Sequence, residues 1–131
     1  MVKIKNLTNL NTEALAYMGD AVYESFIREM LLLGGMAKVN NLHRNATRYV
    51  KASAQAKAIQ TMVNGDELTE EEVRLVKRAR NHRYNSKAKN ADPITYKWAT
   101  SFEAFIGYLY LADEIERMEW AMKRAVEIIE G

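Results

Sequence analysis

The chain has 131 residues, 48% hydrophobic and 27% charged, which is enough for one packed core and too apolar for a disordered chain. It has no cysteine and two histidines, His43 and His82. That excludes disulfides, thiolate zinc sites and thiol nucleophiles, so any bound metal would take oxygen ligands, favouring magnesium, manganese or calcium. The net charge of +2 hides a segregation. Asp66, Glu67, Glu70, Glu71 and Glu72 form an acidic block, and Lys77, Arg78, Arg80, Arg83, Lys87 and Lys89 follow with no acid between them. No apolar run approaches the roughly 20 residues of a bilayer span, and the start lacks the apolar core of a signal peptide. A cytoplasmic protein with no membrane partner is expected.

Every periodic segment has the helical period. Thr12 is expected to cap a long helix with Leu15, Met18, Val22, Phe26 and Met30 inward, ending at Gly34-Gly35. Val39 to Val63 reads as helix interrupted around Asn45 to Tyr49, closed by Gly65. Thr69 and Glu72 form a capping box for the next helix, and the polar, basic stretch Asn81 to Ala91 reads as an exposed loop. Asp92-Pro93 restarts a helix, with Asp as N-cap and the chain's single proline at the first helical position, running to about Leu111. Asp113 is expected to start a last helix with Ile115, Met118, Met122, Val126 and Ile129 inward. The expected fold is all-α, one helical-bundle-like domain over residues 1–131.

Two helices carry an acid inside an apolar pattern. Glu13, Tyr17, Asp20 and Glu24 share one stripe of the first helix, since residues three, four or seven apart lie on one face. In the later helix Glu103 sits between Phe102 and Phe105, with Thr100 and Gly107 on its side. A carboxylate at such a seam needs a partner, and the residues leave open a lysine, a helix N-terminus or a metal ion. Gly19 and Gly107 would permit close packing of these two helices, and Asp20 and Glu103 would then converge. Glu24 is a candidate accessory acid, although a solvated role accounts for it better. Between the acids, the basic stretch interleaves its charges with Asn81, His82, Tyr84, Asn85, Ser86 and Asn90. That mixture suits a nucleic-acid backbone as well as a solvated surface. His43, Arg44, Arg48 and Lys51 add positive charge elsewhere.

Leu15 to Glu24, in the order Leu-Ala-Tyr-Met-Gly-Asp-Ala-Val-Tyr-Glu, resembles the signature helix of the ribonuclease III catalytic domain. Phe102 to Leu111 resembles that family's second acidic segment. Val50 to Ala56, Lys77 to Asn81, Lys89 to Asp92, Tyr96 and Thr100 resemble their counterparts in its Mini-III branch, and the likeness spans about Leu7 to Glu130.

The resemblance implies a ribonuclease III-type fold forming a two-fold homodimer. It also implies a magnesium-dependent endonuclease, with manganese able to substitute, acting on double-stranded RNA. Precursor ribosomal RNA, at the large-subunit ends, is the typical substrate of the branch, with a ribosomal protein or the pre-ribosome as a candidate further partner. Hydrolysis by a metal-activated water would leave a 5′-phosphate and a 3′-hydroxyl. By the same resemblance Asp20 and Glu103 are the catalytic, metal-binding pair. Tyr17 and Tyr23 fall near the dimer partner. With no double-stranded RNA-binding domain expected, RNA contacts fall to Lys77, Arg78, Arg80, Asn81, Arg83, Lys87, Lys89 and Asn90. The chain departs from the larger family at Ala16 and Thr100, where that pattern has acids. The predicted site is therefore sparse, one that RNA helps complete. The alternative is a catalytically silent relative that binds RNA or the ribosome.

Overall fold

Asn11 opens the first helix: its Oδ1 accepts from the Ala14 amide at 2.8 Å, and Thr12, expected as the cap, is the first helical residue instead. The computed structural model describes Leu7, residues 10–83 and residues 92–131. In chain order these form α1 (Thr12–Leu33), α2 (Val39–Val50), α3 (Ala52–Asn64), α4 (Glu70–Asn81), α5 (Pro93–Leu111) and α6 (Ile115–Glu130), with no strand among the described residues. The all-α expectation holds.

Local chemistry explains most boundaries. Thr69 and Glu72 form the reciprocal capping box of α4, and Asp92 caps α5 with Pro93 in the first turn. Two further boundaries differ from expectation. The interruption between α2 and α3 falls at Lys51, whose ψ of 153° is extended, rather than around Asn45 to Tyr49. Residues 45 to 49 stay helical because α2 lies on the surface and buries only Tyr49. Asn45 and Thr47 bond back to the carbonyls of Asn41 and His43. Asp113 does not cap α6. It takes a left-handed conformation (φ 62°) and ends α5, with the Glu114 amide bonded back to the Leu109 carbonyl at 2.9 Å. Glu114 is then the residue before α6.

α5 is the central rod. It buries Phe102, Phe105, Ile106 and Leu109 completely and packs against α1, α3, α4 and α6. α1 meets it through Leu15, Gly19, Tyr23 and Ile27, not through the expected stripe of Met18, Val22, Phe26 and Met30. That second stripe is half-buried and looks into an open apolar trough shared with Met118 and Met122 of α6. Tyr23 is likewise a correction. It is 1% exposed, its ring meets Phe102 edge-on at 4.9 Å, and its hydroxyl donates to the Tyr49 carbonyl at 3.0 Å. Its side chain locks α1 to α2 and α5 and is not exposed on the surface.

Gly19 and Gly107 sit where α1 and α5 touch backbone to backbone. A Cβ on Gly19 would lie 1.7 Å from the Glu103 carbonyl oxygen, and one on Gly107 would lie 1.9 Å from that of Leu15. Neither obstacle is a side chain that can turn aside. Gly19→Ala should force the helices apart and lower the melting temperature by about 10 °C, an overpacking cost of about 3 kcal/mol. An unchanged melting temperature in calorimetry would mean that the helices do not approach this closely.

Candidate functional site

The glycine contact sets the site. Gly19 carries Asp20 beside it in α1, and Gly107 lies one helical turn after Glu103 in α5. The two carboxyl groups converge within hydrogen-bonding reach in an open pocket of about 320 Å³, bordered also by Glu13, Ala16, Tyr17, Tyr96 and Thr100. Asp20 is at the exposed edge and Glu103 is deeper. The convergence expected from the paired glycines is therefore present.

Ala16 and Thr100 flank the pair with no charge. The Thr100 hydroxyl is turned to the Tyr96 carbonyl at 2.9 Å. No group of three or more His, Cys, Asp or Glu side chains is assembled as a metal cage among the described residues. Glu24 is one turn beyond Asp20, and its carboxylate accepts from Arg28 at 3.0 Å, although its charge still acts on Glu103. Glu13 reaches toward the end of α4, where His82 Nε2 lies 3.5 Å from its Oε1.

Gln55 had no assigned role from sequence. It is 3% exposed in α3, and its side-chain amide acts on the Glu103 carboxyl, drawing its pKa down. A glutamine between Ala54 and Ala56, on the inner face of a helix, was the available signal.

Among the expected RNA-binding residues, Lys77, Arg78, Asn81 and Arg83 are exposed at the end of α4 or just after it. Arg80 is half-buried, its guanidinium 4.9 Å from the centre of the Trp98 ring and its Nε donating to Asn81. Lys87, Lys89 and Asn90 lie outside the described residues. A second basic surface is continuous in sequence. From Met30 to Gly65 there is no Asp or Glu, and Arg44, Arg48, Lys51 and Lys57 are exposed along α2 and α3. Tyr17 is 84% exposed, an unusual placement for a large aromatic residue.

Burial, then the hydrogen bond and negative charge of Asp20, push the Glu103 carboxyl up to about 9, while the Gln55 amide pulls it down. Without a cation Glu103 therefore keeps its proton at neutral pH and donates it to Asp20. Two oxygen donors that cannot both ionise unaided, at a solvent-open pocket, fit a hard divalent cation completed by water.

The sign of the stability effect follows. The folded state holds a proton that the unfolded chain, at the ordinary carboxyl value of 4.5, has released. Stability from Glu103 is complete at acid pH and is lost as pH rises toward about 9, at up to about 1.4 kcal/mol per pH unit. In chelator, the melting temperature of the wild type should fall between about pH 5 and pH 9 more steeply than that of Glu103→Gln, which is neutral throughout. Parallel profiles would show that the fold does not hold Glu103 protonated.

Residues 13–114 match the family description "Ribonuclease III domain". The chain is 47% identical to a Mini-ribonuclease 3 of Streptococcus pneumoniae, covering 93% of this chain and 95% of that protein. It is 48% identical to one of Enterococcus faecalis, covering 95% and 97%. A crystal structure of a protein from Fusobacterium nucleatum superposes with a TM-score of 0.81 at 27% identity, covering 95% of this chain and 98% of the other. The glycine-paired helices, the two converging acids and these relatives agree: the chain belongs to the ribonuclease III family, in its Mini-ribonuclease 3 branch, and is an endoribonuclease.

Proposed function

We propose that this endoribonuclease acts on double-stranded RNA, with precursor ribosomal RNA as its substrate, as a magnesium-dependent homodimer. The observation that carries the reading is the convergence of Asp20 and Glu103 in a pocket open to solvent. These two carboxylates would hold the ion, and manganese would substitute. When bound, such an ion supplies a water activated at neutral pH and offsets charge on the scissile phosphate. Asp20, at the exposed edge, is the acid first met by an approaching phosphate. Glu103 gives up its proton to ionise, so loading the site releases a proton to solvent. With Ala16 and Thr100 uncharged, too few protein oxygens surround the pair to complete a hexacoordinate shell, and RNA oxygens and water would supply the rest.

Backbone contacts come from the exposed cations. Lys77, Arg78 and Arg83 lie at one end of α4, and Arg44, Arg48, Lys51 and Lys57 lie on α2 and α3. Asn81, and Lys87, Lys89 and Asn90 by sequence, would extend the first group. Arg80, stacked on Trp98, is better placed to stiffen that group than to reach a distant phosphate. Charge of this kind gives affinity without sequence and a steep dependence on salt.

The dimer is supported by a surface that one protomer leaves uncovered. The trough of about 820 Å³ between α1 and α6 is lined by Met18, Val22, Phe26, Met30, Met118 and Met122, and the same helix exposes Tyr17 beside the Asp20–Glu103 pocket. A two-fold dimer through α1 would bury this apolar stripe and set one site against each strand of an antiparallel duplex.

Long double-stranded RNA should be cut by the wild type in magnesium and not in chelator. Asp20→Asn should lose at least about 100-fold, beyond the 10- to 100-fold typical of losing a mere outer partner of a metal ligand. In sedimentation equilibrium the wild type should have twice the chain mass, and Tyr17→Glu, whose side chain is exposed in the protomer, the mass of one folded chain. RNA bound but never cut would leave the silent relative as the correct account. Full cutting by Asp20→Asn would remove this site.

A further inference from the structure

Gln55 is a costly residue for its place. It lies in the first turn of α3 among Ala54, Ala56 and Ala58, buried where an apolar side chain would pack without polar atoms. Its Nε2 donates to the Val50 carbonyl at 2.9 Å. Because a carbonyl can only accept, this bond fixes which end of the amide faces Val50 and leaves no choice of flip. The same amide acts on Glu103, drawing its carboxyl down against the rise that burial and Asp20 cause. Oε1 is buried and has no hydrogen-bond partner in the protein. Buried side-chain oxygens are nearly always satisfied, so an orphan next to a functional acid marks a residue kept for that acid rather than for packing.

We propose that Gln55 is a positioning residue for the Asp20–Glu103 pair: anchored on Val50, its side-chain amide orients the Glu103 carboxyl group. The chain of support runs from the end of α2, through the first turn of α3, to the middle of α5. Val50 is the last residue of α2, and the sharp turn at Lys51 puts α3 in register so that the fourth residue after the turn meets α5. Asp20 and Gln55 both act on the Glu103 carboxyl, from α1 and from α3. A methionine or leucine at position 55 would fill the space and not hold the acid. The inference rests on Asp20 and Glu103 being a metal site.

Its test needs no RNA. Manganese binding to the full-length protein is followed from the free-ion electron paramagnetic resonance signal for wild type, Gln55→Met, Glu103→Gln and the double variant. Gln55→Met should bind manganese about 10-fold more weakly, the scale of losing an outer partner of a metal ligand, with an unchanged melting temperature. In the Glu103→Gln background the same change should add nothing, because Gln55 acts through Glu103. Undiminished binding by Gln55→Met, or an equal loss in both backgrounds, overturns the inference and leaves the metal site standing. Absence of binding by the wild type overturns both. Should Gln55→Met fail to fold, wild-type protein still decides. The side-chain amide resonances of Gln55 should shift during a magnesium titration followed by nuclear magnetic resonance, and resonances that stay in place contradict the proposal.

Discussion

Two glycines pressed backbone to backbone hold this molecule's chemistry together. Gly19 of α1 and Gly107 of α5 let the helices approach until a single methyl group at either position would collide with a carbonyl of the other helix. Helices this close bring the side chains beside the crossing closer than ordinary packing of 8–10 Å would. Asp20 follows Gly19 directly, and Glu103 precedes Gly107 by one turn, so the crossing point and the meeting of the acids are one geometric event. Tyr23 and Phe102, packed edge-on farther along the same interface, brace it. The cost is local: glycine weakens both helices, and the acids it unites repel once both are charged.

That repulsion has a use. A carboxyl pair that keeps one proton at neutral pH is destabilised as a doubly charged site and relieved by a divalent cation. The surroundings neither cancel this nor complete a cage. Ala16 and Thr100 contribute no charge, Glu24 is engaged with Arg28, and Gln55 contributes a neutral dipole. Such a site would bind an ion weakly alone and better with a polyanion present. Coupling of metal to substrate, rather than a preformed cage, is then the expected economy of a small nuclease with cationic surfaces on α2, α3 and α4.

Much of this was legible in residue order because the signals were local. The Thr69–Glu72 box, the Asp92-Pro93 start and the glycines beside each acid act within one turn of themselves, and all sit where their chemistry places them. The face of α1 that packs inward was not legible. The helix has two apolar stripes, and only tertiary contact decides that Leu15, Tyr23 and Ile27 enter the core while Met18, Val22 and Phe26 border an open trough. Tyr23 misled for the same reason, since a tyrosine reads alike whether its hydroxyl meets water or the carbonyl of Tyr49. Asp113 looked like a cap and serves as a left-handed terminator, a choice made by the end of α5 rather than by α6. Gln55 needed three helices in place before its orphaned oxygen had meaning.

The most direct test of the central claim is where a divalent ion binds. Crystals of the RNA-free protein soaked in manganese, with anomalous diffraction recorded, should show one peak in contact with both Asp20 and Glu103 carboxylates and none in a Gly19→Ala crystal whose helices have parted. Manganese seated elsewhere, or touching only one of the two acids in the wild type, would contradict the claim that the glycine crossing builds a metal-binding pair.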